Sequence, residues 1–173
     1  HMVAFVRTVA DAGADRFTVH ARKAWLSGLS PKENRNVPPL RYDVVHNLKR
    51  DFPDLQIMIN GGFRTLDAVA GQLQQLDGVM IGREAYTNPW MLADADRRIL
   101  GHPVEPESRA GVVRRMLPYI ESTLADGIPL HRVTRHMLGL FQGQPRARAW
   151  RRHLSQHAHL PGAGTEVVEQ ALS

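Results

Sequence analysis

Three short apolar runs separated by helical stretches place the tightest limits on how this chain can fold. Residues 3–12 read as a helix ended by Gly13, 17–19 as a strand, 42–50 as a helix stopped before Pro53, and 55–59 as a second strand. Thr65, with Asp67 in the following turn, caps a helix through residue 73, and 78–81 (Gly-Val-Met-Ile) reads as a buried third strand. Continuous apolar runs of this length predict strands of a parallel sheet whose two faces are both covered by helices, which is an α/β architecture.

The segments that leave these strands are suited to anions. In RFTVHARKAWLSG, residues 16–28, the first strand delivers His20, Arg22 and Lys23 in quick succession. Asn60-Gly61-Gly62 follows the second strand and Gly82-Arg83 the third. Successive glycines let backbone N–H groups approach an anion closely, and a following helix adds its positive end. Any one of these segments alone also reads as an ordinary turn or a solvated loop. Three in series, each at a carboxyl end, match the last three strands of a β/α barrel, where a phosphate is frequently held.

After residue 100 the alternation stops. Residues 101–106 read as a linker, and 107–173 as helical. Val113, Met116, Leu117, Ile120 and Leu124 form one apolar stripe, with Pro118 expected to kink or divide that helix. Leu130, Val133, Met137, Leu140 and Phe141 form a second stripe, leaving Arg132, Arg135 and His136 on the opposite face. Ala147, Trp150 and Leu154 form a third, opposed by Arg148, Arg151 and Arg152. The expectation is a helical bundle with one basic surface.

Charge supports that division. Residues 1–106 carry 13 Lys+Arg against 12 Asp+Glu, whereas 107–173 carry 9 against 5. Residues 130–153 hold six arginines, three histidines and no acid, while a merely solvated helix face usually mixes signs. Arginine outnumbers lysine 19 to 3, which suits bidentate phosphate contacts, although a GC-rich genome produces the same bias. With no cysteine, the chain has no disulfide, thiolate metal site or cysteine nucleophile, which fits a cytoplasmic protein. His153, His157 and His159 have no neighbouring carboxylate and are not read as a metal site. Trp90 and Trp150 read as packing residues. No window approaches the roughly 18 apolar residues of a membrane span. His1-Met2 reads as a vector remnant, with the native chain expected to begin upstream.

The segments VHARKAWLSGLSPKENR, RNVPPLRYD, INGG, DGVMIGREAYTNPW and RHMLGLFQGQPRARAWRRHLS together resemble the C-terminal part of the tRNA-dihydrouridine synthases of the A type, over nearly the whole chain. The resemblance implies the last three or so βα units of an FMN-binding (β/α)8 TIM barrel over 1–100, then a helical tRNA-binding domain over 107–173. It implies reduction of D-loop uridines, positions 20 and 20a, with NADPH as reductant. By similarity, FMN is held near its phosphate by His20, Asn60, Gly61, Gly62, Gly82 and Arg83, with Arg22 and Lys23 at the pocket mouth. Lys32 and Arg35 in the long 24–40 loop are implied tRNA contacts, together with Arg132, Arg135, Arg148, Arg151 and Arg152. Phosphate contacts of this kind do not read sequence, so base choice falls to RNA shape and the pocket. The target base must be extruded before the flavin can reach it.

In that family the general acid is a cysteine on the N-terminal half of the barrel, so this chain has no catalytic acid of its own. A (β/α)8 barrel takes about 250 residues, and only three strand units are present here. The chain alone is expected to be inactive and to expose sheet edges that a second chain or a swapped copy could complete. Membrane and DNA partners are not expected. Two other readings stand beside the fragment of a tRNA-modifying oxidoreductase: a non-catalytic tRNA-binding module, and an FMN barrel acting on a small metabolite. The acid-free arginine block disfavours the last.

Overall fold

A computed structural model describes residues 1–173 and divides into two compact units, His1–Gly82 and Arg83–Ser173. The first is built on a three-stranded parallel sheet in the order β1 (Arg16–His20), β2 (Gln56–Asn60), β3 (Gly78–Met80). Its helices are α1 (Met2–Asp11), α2 (Pro31–Asn34), α3 (Tyr42–Asp51) and α4 (Leu66–Leu73). Gly13 at φ +107° turns the chain out of α1, and the Thr65 hydroxyl accepts the Ala68 N–H at 3.2 Å to open α4. All three strands fall within a residue of their expected positions.

Helix α3 packs on β2 and α4 on β3. Ile57 and Ile59 of β2, Val45 and Leu48 of α3, and Leu66 and Val69 of α4 are all buried. The Lys49 ammonium on α3 joins this layer to its surroundings. It pairs with Asp77 at 2.8 Å and donates to the carbonyls of Pro53 and Leu55. Asp77 in turn accepts the Ile57 N–H at 2.7 Å.

The expectation that both sheet faces are covered is corrected. Side chains alternate across a strand, and register puts Thr18 beside Met58 and His20 beside Asn60 on the face away from Ile57 and Ile59. On that face Arg16, Thr18, His20 and Gln56 are exposed, and Met80 is 48% exposed. The helices of this unit that pack on the sheet are α3 and α4, beside the buried Ile57 and Ile59, and within the unit the opposite face stays open, although parallel strands are ordinarily buried on both.

The second unit is helical: α5 (Arg83–Thr87), a 3-10 turn at Pro89–Leu92, α6 (Ala95–Arg98), α7 (Arg109–Ala125), α8 (His131–Thr134), α9 (Ala147–His157) and α10 (Thr165–Leu172). Its core gathers Val113, Ile120, Leu130, Trp150, Leu154 and Val168. Residues 83–100, which the sequence reading groups with the sheet, belong to this unit. Trp90 packs against its core, the Arg109 guanidinium lies 4.5 Å from the Trp90 ring centre, and Gly139 sits against the Thr87 carbonyl. Residues 101–108, which include the expected linker, carry no helix or strand.

Two helical expectations change. Pro118 does not divide α7, which runs unbroken for 17 residues with Val113 and Ile120 buried on either side of it. The stripe from 130 to 141 does not form one helix, because α8 ends at Thr134 and the chain continues as tight turns such as Met137 N–H to Thr134 O at 2.9 Å. Side chains from elsewhere in the unit add hydrogen bonds to these turns, and Met137 O accepts both the Leu140 N–H and a side-chain donor. Trp150 Nε1 donates to Met137 O at 3.2 Å, and Arg109 donates to Leu140 O. Trp150 is thus a packing residue with its ring 4.7 Å from that of Phe141.

Candidate cofactor and nucleic-acid sites

Parallel pairing brings the carboxyl ends of the strands into one row. His20 is registered with Asn60 and Asn60 with Met80, while the Ala21 N–H donates to Asn60 O at 2.8 Å. His20 and Asn60 both lie on the uncovered face. Gly82 follows two residues after Met80, so the three sequence segments expected to serve one anion lie on adjacent strand ends.

Gly61 and Gly62 take φ values of +142° and +76°, which favour glycine. Packing is close here as well, and a side chain would require Leu40 to shift. A Cβ at Gly61 would lie 2.8 Å from Cδ2 of Leu40 and 3.6 Å from Nδ1 of His20, and one at Gly62 would lie 2.9 Å from Cδ1 of Leu40. Tyr42 completes the turn: its hydroxyl donates to Gly61 O and its ring stacks on Phe63 at 5.3 Å. Burial raises the pKa of that phenol against the opposing pull of Arg22, which keeps it a donor. A Cβ at Gly82 would meet nothing within 4 Å, so the open approach lies there. An imidazole, an amide side chain and glycine backbone on neighbouring strand ends form a donor set of a kind that suits a phosphate group.

Arg22, read from the sequence as lining the pocket mouth, is committed elsewhere. Its guanidinium donates to Asn36 O at 3.2 Å and to Pro38 O, and its backbone bridges to Leu40. It braces the following loop. Lys23 is exposed. Arg83 begins α5, a helix of five residues, in the second unit.

The loop over 24–40 is built rather than slack. Ser30 and Glu33 form a reciprocal capping box around α2, in which the Glu33 carboxylate accepts the Ser30 N–H at 2.8 Å. The hydrogen bond to Ser30 is the main cause holding that carboxyl below its ordinary pKa. Asn34 grips Trp25 at both backbone groups, accepting its N–H at 2.7 Å and donating to its carbonyl at 2.9 Å. Lys32 and Arg35 are exposed on and just after α2. The sequence reading missed Asn34, Leu40 and Tyr42. The Ser-Pro-Lys-Glu run at 30–33 carried a legible signal, since it is a capping box with proline at the first helical position.

In the helical unit all five arginines read as RNA contacts are exposed. They do not share one hollow. Arg148 and Arg151 line a depression of about 520 Å³ with Gln142 and Gln144, Arg152 lines another with Arg146 and Gln170, and Arg132 borders an apolar one with Met116 and Tyr119. Arg135 ends α8. Arg146 takes φ +65° at the start of α9, alone among non-glycine residues, and was not singled out from the sequence. His153 and His157 stack at 4.3 Å, with His157 Nδ1 donating to His153 O at 2.8 Å. No helix is long and apolar enough to cross a membrane.

A family model described as dihydrouridine synthase (Dus) matches residues 1–173. The chain is 58% identical over 170 residues to a tRNA-dihydrouridine(20/20a) synthase of Vibrio cholerae, covering 98% of this chain and 52% of that protein. It is 58% identical over 167 residues to one of Shewanella oneidensis, covering 96% and 50%. Against that of Escherichia coli K12 it is 56% identical over 169 residues, covering 97% and 49%. The chain thus spans about half the length of the curated relatives it matches.

Proposed function

Because the chain belongs to the dihydrouridine synthase family, we propose that it is the C-terminal part of an FMN-dependent, NADPH-using oxidoreductase that reduces D-loop uridines of tRNA, at positions 20 and 20a. Enzymes of this family are TIM barrels and generally flavin-dependent. On this reading residues 1–100 are the last βα units of the barrel, 101–106 a linker, and 107–173 a tRNA-binding domain, working in the cytoplasm. The bare sheet face then receives the rest of the barrel, from the upstream chain or a second copy.

The observation that carries the proposal is the row of strand ends, where His20, Asn60 with Gly61-Gly62, and Gly82 converge on one side of a parallel sheet. His20, Asn60, Gly61, Gly62 and Gly82, with Arg83 next along the chain, would hold the FMN phosphate, and Lys23 would stand at the pocket mouth. Arg22 would act by bracing the loop. When bound, the flavin supplies hydride to the uracil ring. The acid that protonates the adjacent carbon is not in this chain, which has no cysteine. Lys32, Arg35, Arg132, Arg135, Arg148, Arg151 and Arg152 would hold tRNA phosphates and so orient the target loop.

The test is the visible absorption of the purified chain before and after adding FMN, with tRNA binding measured on the same sample. Retained flavin together with tRNA binding that weakens steeply with salt supports the proposal. A colourless chain that still binds tRNA favours a binding module, and flavin without tRNA favours a metabolite enzyme.

A further inference from the structure

The loop over 24–40 combines a pinned backbone with exposed apolar side chains. Its backbone is pinned by the Asn34 grip on Trp25, the Ser30–Glu33 capping box, and Arg22 on the carbonyls of Asn36 and Pro38. Yet its first turn shows apolar side chains to solvent, Leu26 at 97% and Trp25 at 44% exposure. Burying a leucine side chain is worth about 1.5–3 kcal/mol, and a slack loop could fold such a residue inward. This loop holds it outward.

The surroundings select the occupant. Trp25 follows His20 by five residues, so this turn rises from the same end of the sheet as the strand-end row. Lys23, Lys32 and Arg35 are exposed on the same loop, whereas its one carboxylate, Glu33, is engaged by the Ser30 N–H. An apolar and aromatic turn with a cationic rim matches an unstacked nucleobase between its phosphates, since aromatic rings stack on bases of any identity. Resting on the tRNA reading above, we infer that Trp25 and Leu26 form a wedge that enters the RNA loop and takes the stacking place of the extruded target base, holding it out of the stack. Lys32 and Arg35 supply affinity; the turn supplies the unstacking.

The probe is a D-arm hairpin RNA carrying 2-aminopurine beside the target uridine, because its fluorescence rises when a neighbour unstacks. Saturating protein raises the signal, and W25A/L26S abolishes that rise at saturation while weakening affinity about tenfold, the worth of one stacked base. K32A/R35A weakens affinity more, in a salt-dependent way, and leaves the rise at saturation intact. A full rise with W25A/L26S overturns the wedge and leaves the tRNA reading standing. Failure of the unaltered chain to bind the hairpin overturns both. L26S alone guards against misfolding, because so exposed a side chain cannot hold the fold together. If L26S lowers the melting temperature by more than a few degrees, the turn is packed inside a protein interface and the wedge is wrong. If the turn is needed for binding anionic vesicles and not for the RNA signal, the occupant is a membrane surface and the wedge is equally wrong.

Discussion

The two units differ in the balance of their cations: both hold braces, such as Arg97 on Asp94 and Arg109 on Leu140 O in the second, but only the second displays a block of basic residues with no acid among them. In His1–Gly82 several are spent on the fold: Arg16 donates to Gln56 at 2.7 Å, Arg22 holds loop carbonyls, Arg41 pairs with Asp43 at 2.8 Å, and Lys49 pairs with Asp77. In Arg83–Ser173 the five arginines read as RNA contacts are exposed and form no ion pair, and no acid occurs from 130 to 153. A basic residue beside a strand end is therefore a brace as readily as a ligand contact. The neighbouring carbonyls decide which. The first unit builds its site from backbone geometry, and the second offers charge.

The largest expected effect lies in the backbone-built region. Gly62→Val forces a β-branched residue to φ +76° and drives its Cβ toward Leu40, costing on the order of 2–3 kcal/mol and FMN retention together. Gly82→Ala has room, so it should change stability by less than about 0.5 kcal/mol. FMN titration of this second variant isolates the ligand contact from the fold, and unchanged affinity there would move the phosphate away from Gly82.

Next comes the brace. Arg22→Ala should cost about 1–3 kcal/mol by leaving the Asn36 and Pro38 carbonyls without their charged donor. Proteolysis within 24–40 should accelerate. If the variant instead stays protease-resistant and loses only FMN, Arg22 is a ligand contact and the contrast between the units fails on its own residue.

In the helical unit, Arg148→Ala with Arg151→Ala should weaken tRNA binding about tenfold and lower the salt slope by roughly 1–2, as two lost phosphate contacts require. Stability should move by no more than about 0.5 kcal/mol. A large loss of stability would show that these arginines also brace their fold.

The smallest effect is acid sensitivity through Asp77. Burial opposes its ionisation, but the hydrogen bond from Lys49 and the Ile57 N–H outweigh it and hold the carboxyl below its usual range. A carboxyl whose pKa is lowered by folding stabilises the protein above its unfolded pKa, and that contribution disappears as pH falls through the folded value. About 1 kcal/mol should vanish at acid pH, tempered by partial exposure. Asp77→Asn should flatten that part of the pH–stability curve measured by urea unfolding.

Much of the first unit was legible in sequence because its signals are local. Apolar runs marked β1, β2 and β3, Thr65 marked the start of α4, and loop composition brought His20, Asn60 and Gly82 to one end. What escaped depends on distant partners. The stripe from 130 to 141 has helical spacing, yet its helix ends at Thr134 and the rest runs as turns that Trp150 and Arg109 bond from elsewhere in the unit. Arg22 resembles a ligand contact until the carbonyls of Asn36 and Pro38 arrive fourteen and sixteen residues later. Leu40 and Tyr42 shape the glycine turn from outside its motif, and no periodicity reports that one sheet face lacks a layer.

The most direct test compares FMN with riboflavin on the purified chain, following flavin fluorescence during titration. The two differ only in the phosphate, and the strand-end row is proposed to hold that phosphate. FMN should bind at least about tenfold more tightly, the worth of one charge-assisted hydrogen bond, and Gly82→Ala should narrow the gap. Equal affinity for both flavins would contradict a phosphate site at these strand ends.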